Sequence, residues 1–138
     1  MNPHPPAVTV FFCHGSRSAD WREPFELLAS EYRERFPGVR VRLAFLELMP
    51  PGLPEVLAEE AAAGTAALRI VPLFLAPGAH TSRDLPALVA DAMRQWPQLA
   101  IRVEPTLLES AALRRAIATG LGDCAAEEGP LPPYKPPL

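Results

Sequence analysis

Short apolar runs alternate four times with longer stretches of three- and four-residue hydrophobic spacing, the signature of βα units laid into a parallel sheet. Val8 to Cys13 reads Val-Thr-Val-Phe-Phe-Cys and is bounded by His14-Gly15-Ser16. A run that is β-branched and aromatic throughout predicts a strand covered on both faces, hence a central one. Trp21, Phe25, Leu28, Ala29, Tyr32 and Phe36 then recur at helical spacing up to Pro37-Gly38, with Asp20 placed to cap the start. From Val39 to Phe45, Val39, Val41, Leu43 and Phe45 alternate with Arg40 and Arg42. That period of two predicts an edge strand whose arginine face meets solvent or a partner.

Leu53 to Ala63 predicts a short helix ended by Gly64 in the left-handed conformation. Leu68 to Leu75 is the most apolar strand pattern and closes at Pro77-Gly78, but Pro72 within it removes a ladder donor and argues for an edge or a bulge. Ser82 or Asp84 caps a third helix carrying Leu85, Leu88, Val89, Ala92 and Met93 to Trp96-Pro97. Ala100 to Glu104 follows as a fourth strand and Leu108 to Leu121 as a last helix. From Gly129 the chain is too proline-rich to bury surface or to bond its own backbone. The expected organisation is an N-terminal extension at 1–7, one α/β domain over 8–122 and a disordered tail over 123–138. Docking of that tail to a partner in extended polyproline form is the alternative.

Right-handed crossovers and a flavodoxin-like strand order 2-1-3-4 put the first and third strands side by side, with helices on both faces. Their connecting helices leave on opposite faces, which opens a crevice beyond the carboxyl ends of those strands. His14 directly follows the first strand, His80 lies a few residues past the third, and Glu47 follows the second. The third histidine, His4, sits in the Pro-rich start.

Composition narrows the chemistry. At 138 residues, 49% hydrophobic, with a net charge of −3, the chain suits one globular domain and lacks the basic excess that would grip nucleic acid. No apolar run approaches the roughly 20 residues of a membrane span, and the Pro-rich start is unlike a signal peptide, so the expected location is cytoplasmic with no membrane partner. Two cysteines, Cys13 and Cys124, form no CxxC pair and fit a reducing compartment.

Neutral imidazoles bind first-row divalent ions and exchange protons near neutral pH, so a facing His14 and His80 suit a reaction in which a metal enters as protons leave. Glu47 completes the coordination or accepts a proton, with a solvated loop carboxylate as the alternative. Gly15 and Gly78 leave room for a flat ligand, or serve turns that need positive φ. Ser16, Arg17 and Arg83 stand in the same loops and match carboxylates or phosphates on a ligand, with plain surface solvation as the rival reading. Cys13, the last residue of an apolar strand, is expected to be packed and protonated rather than a thiolate ligand.

At these residues the sequence resembles the short form of the sirohydrochlorin chelatases, the CbiX/SirB group, over roughly residues 8 to 122. The resemblance lies in Phe12-Cys13-His14-Gly15-Ser16-Arg17, in Ala44-Phe45-Leu46-Glu47-Leu48 with Pro51 and Leu53-Pro54, and in Pro72-Leu73-Phe74-Leu75 through Gly78, His80, Asp84, Leu85 and Pro86. It departs from the family pattern at Cys13, where a small or aliphatic residue is common, and at Pro77, which stiffens the loop before His80. The resemblance implies a chelatase-like fold and ATP-independent insertion of a divalent ion into sirohydrochlorin. In that reaction His14 and His80 hold the metal and assist removal of pyrrole protons, while Arg17 and Arg83 orient the substrate's carboxylates. It implies cobalt, iron or nickel as substrate rather than a permanently bound cofactor, and a homodimer that completes the cleft. Two rivals remain. One is a metal- or tetrapyrrole-binding module without turnover. The other is a phosphoryl-transfer enzyme with His14 as nucleophile, disfavoured because Cys13 stands where an Arg is needed. A serine hydrolase is weaker still, since Ser16 lacks the G-x-S-x-G elbow.

Overall fold

A computed structural model describes residues 7–130 and 132–138, with backbone alone at 80–82 and 127–128. His4, with the rest of residues 1–6, lies outside the described residues, as does Leu131 of the tail. The elements are β1 (Val8–Cys13), α1 (Arg22–Arg35), β2 (Arg40–Phe45), α2 (Leu53–Ala62), β3 (Ala67–Pro72), α3 (Ala79–Gln95), β4 (Ala100–Val103) and α4 (Ala111–Glu128). All strands are parallel, in the order β2-β1-β3-β4, as the alternating pattern predicts.

Every residue of β1 is buried, which the central position requires, because a helix layer covers each face of the sheet. On one face Val8, Val10, Phe12, Leu68 and Ile70 pack with Val56 and Leu57 of α2 and with Leu85, Val89 and Ala92 of α3. On the other, Phe11, Cys13, Val41 and Phe45 pack with Ala29 of α1. Each fully buried aliphatic or aromatic side chain contributes about 1.5–3 kcal/mol, so these two layers are what hold the strand ends in place. Polar members of the strands are matched rather than stranded. Thr9 of β1 lies in register with Arg69 of β3. Arg69 donates to the Thr9 hydroxyl at 3.2 Å and to the Tyr32 hydroxyl at 2.9 Å.

Several local expectations are corrected by packing. The Arg40/Arg42 face of β2 is covered by α2: Glu60 accepts from Arg40 at 2.6 Å and from Arg42 at 2.9 Å, and Glu59 also pairs with Arg42. Pro72 does not make β3 an edge strand, because β3 lies between β1 and β4 and Pro72 is its last residue, where the ladder is ending. Asp20 falls inside a short 3-10 turn that runs straight into α1, whose N-cap is Trp21 with no side-chain cap bond. Ser82 and Asp84 are not caps, since α3 begins at Ala79 and runs through Pro86. After another 3-10 turn at Leu107–Glu109, α4 continues to Glu128, beyond the predicted Leu121 and into positions 123–128 assigned to the tail. The described part of the tail beyond Gly129 is exposed and without regular structure. No helix among the described residues is long and apolar enough to cross a membrane.

Candidate active site

His14 leaves the carboxyl end of β1 with an exposed side chain and is held from two directions. Its carbonyl oxygen accepts the indole N–H of Trp21 at 2.7 Å. Its ring centroid lies 4.3 Å from that of Phe74, tilted by 53°. Phe74 is itself buried and packs edge-on against Phe12, ring centroids 5.6 Å apart. Because Phe74 follows β3 by two residues, the imidazole stands across the ends of β1 and β3, the switch point of the sheet. Sequence reasoning places Trp21 on a helix face and Phe74 in a strand, and misses both as supports of His14. A Trp seven residues past a strand-ending His is a faint signal, since a half-buried indole N–H needs an acceptor.

The loop after β1 is seated against the loop after β2. A Cβ on Gly15 would overlap the Glu47 carbonyl oxygen and come within 3.3 Å of Met49 Cγ, so glycine is there for close backbone approach. The positive-φ turn expectation is corrected for both glycines, since neither Gly15 nor Gly78 has positive φ, and a Cβ at Gly78 would meet nothing within 4 Å. The second loop is fixed further. Leu46 N–H donates to the Cys13 carbonyl and Phe45 N–H to the Pro51 carbonyl, each at 2.8 Å. Arg22 donates to the Pro50 carbonyl while its guanidinium carbon lies 4.8 Å from the Phe45 ring centroid. The Pro50-Pro51 peptide is cis. Leu48, exposed in the same loop, has φ +68°, a conformation that costs a leucine about 1 kcal/mol or more. Replacing Gly15 by Ala should push the two loops apart and lower stability by about 2 kcal/mol, seen as a fall in urea midpoint at unchanged m. A midpoint equal to wild type would show that the loops are not clamped there.

The other predicted residues are placed as follows. The Glu47 carboxylate is exposed and Arg17 is exposed, both beside the Gly15–Glu47 contact. The Ser16 hydroxyl accepts the Ser18 N–H at 3.0 Å, which closes a local turn. Gly78 precedes α3, and Arg83 is exposed on that helix. His80 lies in the first turn of α3 rather than in a Pro-Gly loop, and its side chain is outside the described residues. His14, Gly15, Ser16, Arg17 and Glu47 therefore gather around one loop pair, while Gly78, His80 and Arg83 follow β3 at the same end of the sheet. Among the described residues no three His, Cys, Asp or Glu side chains form a ready metal cluster. Cys13 is not available as a thiolate at neutral pH: burial pushes its thiol up to about 12, and its Sγ lies 3.6 Å from the Phe11 carbonyl. An apolar cleft of about 540 Å³ opens beside this rim, walled by Pro72, Pro77, Leu85, Val89, Val103 and Pro105. It adjoins the β3–α3 connection, and His14 is not among its walls.

The family model described as CbiX matches residues 8–123, nearly the whole of the α/β domain. The chain belongs to the CbiX family. The resemblance read from its three motifs is thereby borne out. Among curated proteins the CbiX domain is similar to the sirohydrochlorin cobaltochelatase of Methanopyrus kandleri, 36% identical over 82 residues, covering 59% of this chain and 57% of that protein. It is 37% identical to the sirohydrochlorin cobaltochelatase of Methanocaldococcus jannaschii over 82 residues, 58% of this chain and 56% of the relative. The match thus spans less than two thirds of the length of these relatives. In structure it is similar to a CbiX protein from Marinobacter aquaeolei VT8, with TM-score 0.73, 28% identity, and coverage of 88% of this chain and 99% of that one. The cobalt complex of the sirohydrochlorin chelatase SirB from Bacillus subtilis subspecies spizizenii shares the fold, with TM-score 0.70, 21% identity, and coverage of 86% of this chain and 50% of that one.

Proposed function

We propose that this CbiX chain inserts a divalent metal ion, Co2+ or Fe2+ with Ni2+ as a third candidate, into sirohydrochlorin without ATP, and that it does so in the cytoplasm as a homodimer. The observation that carries the reading is His14 at the sheet's switch point, its main-chain carbonyl held by the Trp21 indole and its exposed imidazole set against Phe74. The names of the curated relatives supply the substrate class. Insertion releases two pyrrole protons as one dication enters, so the site must offer a ligand to the ion and a base to each proton. His14 and His80 take the ion through neutral ring nitrogens and then relay protons to solvent. Glu47, on the neighbouring loop, accepts a proton or completes the coordination. Arg17 and Arg83 orient the macrocycle's carboxylates. Gly15, Ser16 and Gly78 keep the backbone low beside it. The homodimer is what the family resemblance implies: this α/β lobe matches half of the SirB chain, and a second copy would stand where that chain has its other half.

A metal panel tests the reading. Substoichiometric protein with sirohydrochlorin and Co2+, Fe2+ or Ni2+ should accelerate the absorbance change of insertion over a protein-free control, through many turnovers. A single stoichiometric burst would identify a binding module, and no acceleration with any ion would remove the chelatase assignment.

A further inference from the structure

We propose that Leu48 contacts the substrate: the loop after β2 presents its side chain as an apolar bearing surface for the flat face of the tetrapyrrole, so it governs how tightly the macrocycle is held rather than how fast metal enters. The inference rests on the chelatase reading above. Leu48 is the one non-glycine among the described residues with positive φ, at +68°, and it is 55% exposed. A leucine gains nothing from either condition within its own chain, because left-handed backbone crowds its Cβ and water surrounds its apolar side chain. Nor is the position an accident of a slack loop. Leu46 is bonded to Cys13, Phe45 to Pro51 and Arg22 to Pro50, and the Glu47 carbonyl is packed on Gly15, one residue from His14. The strained leucine is therefore held at a fixed place in the loop pair that carries His14.

It also has company. Trp21, 38% exposed, comes from the connection after β1, and Leu75, 62% exposed, from the connection after β3. Each of the three connections around the switch point thus offers one large apolar side chain at the same end of the sheet. A macrocycle with apolar faces and carboxylates at its edge needs this division, with apolar contact under the face and Arg17 and Arg83 at the rim. Trp21 is already engaged with His14 and Phe25, and of the two leucines only Leu48 joins its exposure to a left-handed backbone.

Leu48→Gly removes the side chain and relaxes the backbone, Leu48→Met keeps an apolar side chain, and Leu48→Asn tolerates left-handed backbone without offering apolar surface. With Co2+ and sirohydrochlorin, Leu48→Gly and Leu48→Asn should raise KM by roughly ten-fold. Their kcat should stay at the wild-type value, with Leu48→Met near wild type in both and all three melting close to it. Wild-type KM in the glycine and asparagine variants would overturn the assignment, and so would a fall in kcat at constant KM. If the wild-type protein turns over and these variants match it, Leu48 alone is misassigned; if the wild-type protein accelerates insertion of no ion, the chelatase reading falls and this inference with it.

Discussion

His14→Ala should lower kcat for metal insertion by at least about a hundred-fold, the scale on which a positioned proton-transfer group acts. Stability should hardly change. The ring is exposed, and the bond that fixes this turn runs from Trp21 to the His14 main-chain carbonyl, which the substitution keeps. What is lost is the ring contact with Phe74, and a surface change of that kind is worth within about 0.5 kcal/mol. The measurement pairs kcat and KM with the melting temperature and far-UV circular dichroism. A large fall in kcat at unchanged KM and unchanged melting temperature means that the imidazole acts at the metal or the protons rather than in holding the macrocycle. His80→Ala, in the first turn of α3, is expected to behave alike, because neither imidazole alone both receives the ion and disposes of the pyrrole protons. Full activity in both variants would refute the site assignment, whereas full activity in one alone would reduce the ligand set to the other.

Much of this arrangement can be read from the sequence, and what cannot be read has a common cause. The β-branched and aromatic run of β1 calls for coverage on both faces, so its central position and the strand order follow from chain pattern and crossover handedness. His14 at its end is then placed by topology alone. Errors arise where tertiary packing outweighs a local signal. Ser82 and Asp84 imitate a helix start, yet α3 begins at Ala79 and runs on through Pro86, because burying Leu85, Val89 and Ala92 on the sheet outweighs the roughly 3 kcal/mol that an interior proline costs through its lost backbone bond and ring clash. Gly120 and Gly122 weaken the pattern of α4, which nevertheless runs on to Glu128. The fine structure of the rim is invisible for a different reason. Trp21 on His14, Phe74 on His14 and Gly15 on Glu47 join residues that only the fold brings together.

The arginines of β2 illustrate the same limit and yield the largest expected effect on stability. Their alternation with apolar residues reads as a solvent face, but Glu60 of α2, 1% exposed, accepts from Arg40, Arg42 and Thr65 and so pins the edge strand to the helix. Burial by itself would raise the Glu60 carboxyl, but the hydrogen bonds from Thr65, Arg40 and Arg42 outweigh it and hold the group below the usual carboxylate range. Glu60→Ala should cost about 2–3 kcal/mol: it removes all three bonds, although Arg40, at 58% exposed, is rehydrated in compensation. Because the folded value lies below the unfolded one, the stabilisation is complete above the unfolded carboxylate pKa of about 4.3 and is lost as pH falls through the folded value. Glu60→Gln makes the cleanest comparison, since it mimics the protonated acid in size. The gap in unfolding free energy between wild type and Glu60→Gln should stay constant from neutral pH down to about pH 5 and close in more acid solution. A gap that persists unchanged into strong acid, or is absent at neutral pH, would mean that the charge on Glu60 is not what ties β2 to α2.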